Sequence, residues 1–168
     1  MPVFSVARCS PRELLSMHDQ NLPPIDVLEI AQEVGVGVYT TVFTEDDGED
    51  VSGSIEIEGG KPVIYVNRDH AITRQRFTIA HELGHLFCGH LTDKEGKIID
   101  NAECKRSAVW NHQEREANQF AAELLMPSRL LKVAIAAGIK TNYDLAALFN
   151  VSQEAMSYRL QGARSILT

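Results

Sequence analysis

The chain has 168 residues, 44% of them hydrophobic and 23% charged, which suits one compact domain with at most a small appended subdomain. A chain of this length buries about two-thirds of its unfolded surface, enough for a core without staples. Its formal net charge of -7 argues against tight sequence-independent binding to nucleic acid, which needs a strongly basic surface.

Residues 1–9 show no charged region followed by a long apolar run. No stretch of the chain approaches the roughly 20 apolar residues of a membrane span. Cys9, Cys88 and Cys104 are odd in number and lack C-x-x-C spacing. That pattern argues against a disulfide framework and fits a reducing compartment. A soluble, cytoplasmic protein is expected.

Ser10-Pro11-Arg12-Glu13 reads as a capping box with proline at the first helical position, so a short helix should begin there. Asp26 to Val34 repeats its apolar residues at helical spacing and stops at Gly35. Val36 to Phe43, rich in β-branched and aromatic residues, reads as a strand. The acidic run Glu45 to Asp50 reads as a solvated loop, because the ligand spacing of a calcium loop is missing. Val51 to Glu58 and Lys61 to Asn67 flank Gly59-Gly60, a hairpin signal, since that tight turn needs positive φ twice.

Arg74 to Cys88 carries Phe77, Ala80, Leu83, Gly84 and Phe87 at helical spacing, with Gly89 as its stop. Leu91 to Trp110 is long, polar and weakly patterned and reads mostly as loop. His112 to Met126 is a second helix ended by Pro127, and two or three short helices follow.

Within the first long helix, His81-Glu82-Leu83-Gly84-His85 matches H-E-x-x-H. Residues four apart differ by about 40° around a helix axis, so both imidazoles leave one face and can share a metal ion. Glu82 stands beside that face, placed to hold a water rather than the metal. Composition alone yields this five-residue pattern in on the order of one chain in a few hundred. The bland alternative is two surface histidines on an ordinary amphipathic helix.

A catalytic site needs a third ligand and an open position. On the second helix Glu114, Ala117, Asn118, Ala121 and Leu125 share one face, where small residues allow close approach. Glu114 would aim its carboxylate at the metal. Asn118, one turn on, would accept a hydrogen bond from the far nitrogen of a ligand histidine. Glu116 and Glu123 point about 160–200° away from Glu114 in projection, so Glu114 is preferred over Glu116 as the third ligand. Two imidazoles and a carboxylate suit zinc, with manganese or another divalent ion as the alternative.

Arg76-Phe77-Thr78-Ile79-Ala80-His81-Glu82-Leu83-Gly84-His85, with Glu114-x-x-Ala117-Asn118-x-Phe120-Ala121-x-x-Leu124-Leu125-Met126-Pro127 and the strand ending Val63-Ile64-Tyr65-Val66-Asn67, resembles the ImmA/IrrE family of metallopeptidases over residues 24 to 130. The resemblance implies an α+β fold, a zincin-like minimal core of small β-sheet and zinc-binding helices. It also implies an intracellular protease that cleaves a helix-turn-helix repressor of the XRE type and so induces genes. On the matching positions His81, His85 and Glu114 would bind zinc and Glu82 would be the general base. Longer members carry a sensor domain after the helical region, and direct sensing by that route is not expected here.

Gly89 and His90 fall in the wrong register for the longer H-E-x-x-H-x-x-G-x-x-H pattern. His90 and Cys88 are candidates to line the cleft, yet His90 reads best as an exposed loop histidine and Cys88 as a small buried hydrophobe. The second oxyanion donor stays open among His90, His112 and Tyr143. A strand of the Val51–Asn67 hairpin, if it lies at a sheet edge, would pair with an extended substrate.

Residues 1–127 are thus read as a metallopeptidase domain and 128–168 as a helical, helix-turn-helix-like subdomain. In the latter Ser152 would cap a helix whose Ala155, Met156 and Leu160 pack inward. Its outward groups Gln153, Tyr158, Arg159 and Gln161, opposed by Glu154, suit a packing module better than a DNA reader. Two other functions stand beside the protease: a non-catalytic transcription regulator, and a toxin-antitoxin-like component that binds an XRE-type partner.

Overall fold

The computed structural model describes residues 7–44, 51–91, 97–99 and 108–162; the acidic run 45–50 and Cys104 lie outside them. Helix α1 (Pro11–Met17) opens on the expected capping box, with Glu13 N–H donating to the Ser10 hydroxyl and Ser10 N–H to the Glu13 carboxylate. Asp26 caps α2 (Val27–Glu33) through the Glu29 N–H.

Strands β1 (Gly37–Thr41), β2 (Gly53–Glu58), β3 (Lys61–Asn67) and β4 (Lys97–Ile99) form one sheet in the order β1-β3-β2-β4. The β2–β3 hairpin closes through Gly59 and Gly60, at φ 55° and 81°, and its register pairs Glu58 with Lys61. β1 lies parallel to β3, and β4 antiparallel to β2. Neither hairpin strand is therefore an edge, so the condition on which one of them would pair with substrate is not met. The edges are β1 and β4.

β4 also corrects the reading of 91–110 as loop, as does the start of α4 (Ala108–Leu125) within that stretch. A three-residue strand has too little sequence to show an alternation. Its structure comes from the hydrogen-bonding edge that β2 offers.

Helix α3 (Ile72–Cys88) is the axis of the molecule, packed by α4, α2, β2 and β3. Every residue from Thr78 to Phe87 is buried. A helix covered on all sides is normally apolar all round; this one carries His81, Glu82 and His85 into the interior. Three short helices, α5 (Ser128–Ala136), α6 (Asn142–Phe149) and α7 (Gln153–Gly162), complete the described chain.

Leu145, Phe149 and Met156 join Ile30, Ile64, Leu83 and Leu124 in one continuous hydrophobic core. Arg76 on α3 fastens the two regions, its guanidinium donating to the carbonyls of Ile25 and Asn150. Ser152 caps α7 by accepting from Ala155 N–H, and Met156 is fully buried as expected, while Ala155 and Leu160 are half-buried.

Candidate metal centre

Two helices build the site. On α3 the i, i+4 spacing sets His81 and His85 side by side, with their Nε2 atoms 3.0 Å apart. On α4 Glu114 projects between them, Oε2 lying 3.3 Å from His81 Nε2 and Oε1 2.9 Å from His85 Nε2. The helices approach this closely because Gly84 faces Ala117: a Cβ at Gly84 would lie 2.9 Å from Ala117 Cα and 3.0 Å from its carbonyl oxygen.

One ligating atom from each of His81, His85 and Glu114 lies within 4.8 Å of the others, in the only such group among the described residues. Tetrahedral ligands about 2.0–2.1 Å from zinc stand about 3.3 Å from one another. The spacing and the N, N, O donor set thus fit a divalent ion. Of the two glutamates weighed for the third position, Glu114 is the one brought to the imidazoles.

Glu82 is fully buried. Its Oε1 lies against β2, 3.8 Å from where a side chain at Gly53 would begin. Asn118 stands where its helical position indicated, its Oδ1 3.0 Å from His81 Nδ1. The Phe77 ring stacks beside His81, with centroids 6.5 Å apart.

His90 departs from expectation. It is 6% exposed, not an exposed loop histidine. Gly89 adopts the left-handed conformation at φ 76°, and the chain turns back so that Gly89 N–H donates to Leu86 O and His90 N–H to His85 O. This Schellman turn brings the residue after the glycine onto the residue five before it. Here both are histidines: His90 Nδ1 lies 3.0 Å from His85 Nδ1. His90 Nε2 in turn lies 3.0 Å from Glu116 Oε2, and His112 Nδ1 approaches the same oxygen at 3.2 Å.

Glu116 is the functional-looking residue that helical projection set aside, because projection ignores a chain that folds back over a helix end. The signal was available as His85-x-x-x-Gly89-His90. Cys88 is half-buried, and burial raises its thiol pKa, which suits a quiet packing residue. Tyr143 lies 66% exposed on α6.

Burial pushes the Glu114 carboxyl up, but hydrogen bonds and charge from His81 and His85 outweigh it and bring its pKa to about 2. For His85 burial lowers the pKa, against the opposing pull of Glu114. Burial thus favours the neutral form of His85, while the two imidazoles favour the ionised form of Glu114.

Beside His81 opens a cleft of about 1000 Å³ between α3, α4 and α7, lined in part by Phe77, Asn118, Met126, Val151 and Tyr158. Arg159 does not face outward as a base-reading side chain would. It donates to Met126 O at 3.1 Å and to Ser128 Oγ at 2.8 Å, and pairs with Glu123.

A small mixed sheet backing a helix with two inward imidazoles, faced by a glutamate from a second helix, defines a zincin-like metallopeptidase core. The sequence pattern of the IrrE N-terminal-like domain of the M78 peptidases matches residues 31–161, and the chain belongs to that ImmA/IrrE family. The match includes His81, Glu82, His85 and Glu114 and runs through the C-terminal helices.

Among curated proteins, metallopeptidase ImmA of Bacillus subtilis (strain 168) is 30% identical over 100 residues, 58% of this chain and 54% of that protein. Among solved structures, a Mycobacterium tuberculosis transcriptional regulator superposes with a TM-score of 0.59 over 90% of this chain and 46% of its own, at 17% identity. The chain therefore matches about half the length of either relative. The second likeness is one of fold.

Proposed function

We propose that this protein is a cytoplasmic zinc-dependent endopeptidase whose substrate is an XRE-type helix-turn-helix repressor, cleaved to induce gene expression. The observation that carries the hydrolase reading is the convergence of His81, His85 and Glu114 beside a fully buried Glu82. Burying such groups is costly unless something compensates them, and a divalent cation does so.

His81 and His85 would hold the ion through Nε2 and Glu114 through its carboxylate, with manganese as the alternative to zinc. When bound, the ion supplies a Lewis acid that acidifies water and polarises a peptide carbonyl. Asn118 Oδ1 accepts a hydrogen bond from His81 Nδ1–H and so keeps Nε2 free to ligate. Glu82 takes the proton of the attacking water and returns it to the departing amine. The cleft beside His81, with Phe77, Met126 and Val151 in its wall, receives the polypeptide, and its apolar lining suits a segment drawn from a repressor's helices.

The repressor as substrate rests on the family resemblance, and the metallopeptidase name of the Bacillus subtilis relative is consistent with the reaction class. A DNA-binding regulator is the weaker reading, since Arg159 is engaged internally and the chain is acidic.

Glu82→Gln tests the mechanism. The variant should retain one equivalent of zinc and lose about 10²–10⁴-fold in cleavage rate against a co-expressed repressor. Cleavage at the unaltered rate would remove Glu82 from the role of base.

A further inference from the structure

We infer that Glu116 and His90 form a positioning pair for His85, a carboxylate–imidazole–imidazole chain that fixes the tautomer and ring plane of one ligand. The inference rests on the metal-centre reading above and adds two residues to it.

The proton order follows from the ligand. If His85 offers Nε2 to the ion, its Nδ1 carries the hydrogen and must donate. The atom 3.0 Å away is His90 Nδ1, which must then accept, so His90 carries its hydrogen on Nε2. That hydrogen points at Glu116 Oε2, 3.0 Å distant, and a carboxylate accepts it. Each donor in the chain meets one acceptor, and only one arrangement of the two ring hydrogens allows this. A carboxylate at the far end also raises the basicity of the ligating nitrogen, here relayed through one extra ring.

The backbone reinforces the geometry. The residue at the His90 position of a Schellman turn commonly makes an apolar contact with the His85 position; in this chain a polar pair stands there instead. The two ligand histidines are consequently held differently, His81 by the neutral amide of Asn118 and His85 by a chain that ends in a charge. His112 meets the same Glu116 oxygen from an exposed position, with its side chain 66% accessible, and closes the outer end of the chain.

The test is zinc competition against a chromophoric chelator, together with the absorption spectrum of the cobalt(II) form, on His90→Leu, His90→Gln and Glu116→Ala. Leucine preserves the apolar contact that the turn ordinarily makes, so a purely structural role for His90 predicts wild-type affinity. The positioning role predicts about 10–100-fold weaker zinc binding in His90→Leu and Glu116→Ala, with shifted cobalt bands. It also predicts recovery to within a few-fold in His90→Gln, whose amide can accept from His85 and donate to Glu116.

Should His90→Leu fail to fold, Glu116→Ala decides alone, because Glu116 is 45% accessible and its truncation leaves the core intact. Wild-type affinity and an unshifted spectrum in Glu116→Ala overturn the chain while leaving the metal centre standing. Failure of the unaltered protein to bind one equivalent of zinc would instead overturn the metal centre, and the chain with it.

Discussion

Glu114 is drawn in two directions: burial favours its protonated form, and the two imidazoles favour the ionised one. The imidazoles win, holding the pKa to about 2. Metal ligands must be deprotonated before they bind, and an ionised Glu114 carboxylate meets that requirement. Asn118 completes the arrangement on the His81 side. Asn118→Ala should weaken zinc binding by about tenfold while leaving metal-free stability within about 1 kcal/mol, measured by chelator competition and denaturant unfolding. Equal zinc affinity in the two proteins would deny Asn118 its orienting role.

At this scale the candidate ligands are legible because a helix repeats every 3.6 residues, which fixes who shares a face from spacing alone. His81, His85, Glu114 and Asn118 all obey that rule. His90 and Glu116 do not, since their meeting depends on a left-handed residue at Gly89 that ends one helix and folds the chain back toward another.

The pairing of α3 with α4 is the element-scale device on which the centre depends. Gly84 and Ala117 allow the axes to approach, and Glu114 sits less than a turn before Ala117. Gly84→Ala would place a methyl about 3 Å from the backbone of α4; α3 is buried from Thr78 to Phe87, so the half-exposed α4 is the helix that must give way. Overpacking of this kind costs about 1–3 kcal/mol. The variant should melt several degrees lower in calorimetry and bind zinc more weakly, because α4 carries Glu114 outward with it. Wild-type melting and affinity would contradict the close-packing account.

The capping box of α1, the diglycine hairpin and the Gly89 stop were each readable because local chemistry specifies them. β4 was not. Its three residues are ordered by β2 across the sheet, and a partner distant in sequence leaves no periodicity in so short a segment. The same pairing covers the hairpin strand that would have paired with substrate had it been an edge.

Across the whole molecule, one core joins the sheet, the metal helices and the C-terminal helices, and the family match spans all of them. The C-terminal helices act as a wall of the cleft: Tyr158 and Val151 face it, while Arg159 ties α7 to Glu123 and Met126. The segment read as helix-turn-helix-like holds two short helices, α6 and α7, and Arg159, one of the groups it was expected to offer, is engaged internally. No helix among the described residues is long and apolar enough to cross a membrane.

The metal itself is the most direct point of attack on this account. Anomalous diffraction at the zinc edge, on crystals of the zinc-loaded protein, should show a single strong peak bounded by His81 Nε2, His85 Nε2 and the Glu114 carboxylate, at about 2.0–2.2 Å from each. A peak held by other side chains, or none between these three, would contradict it.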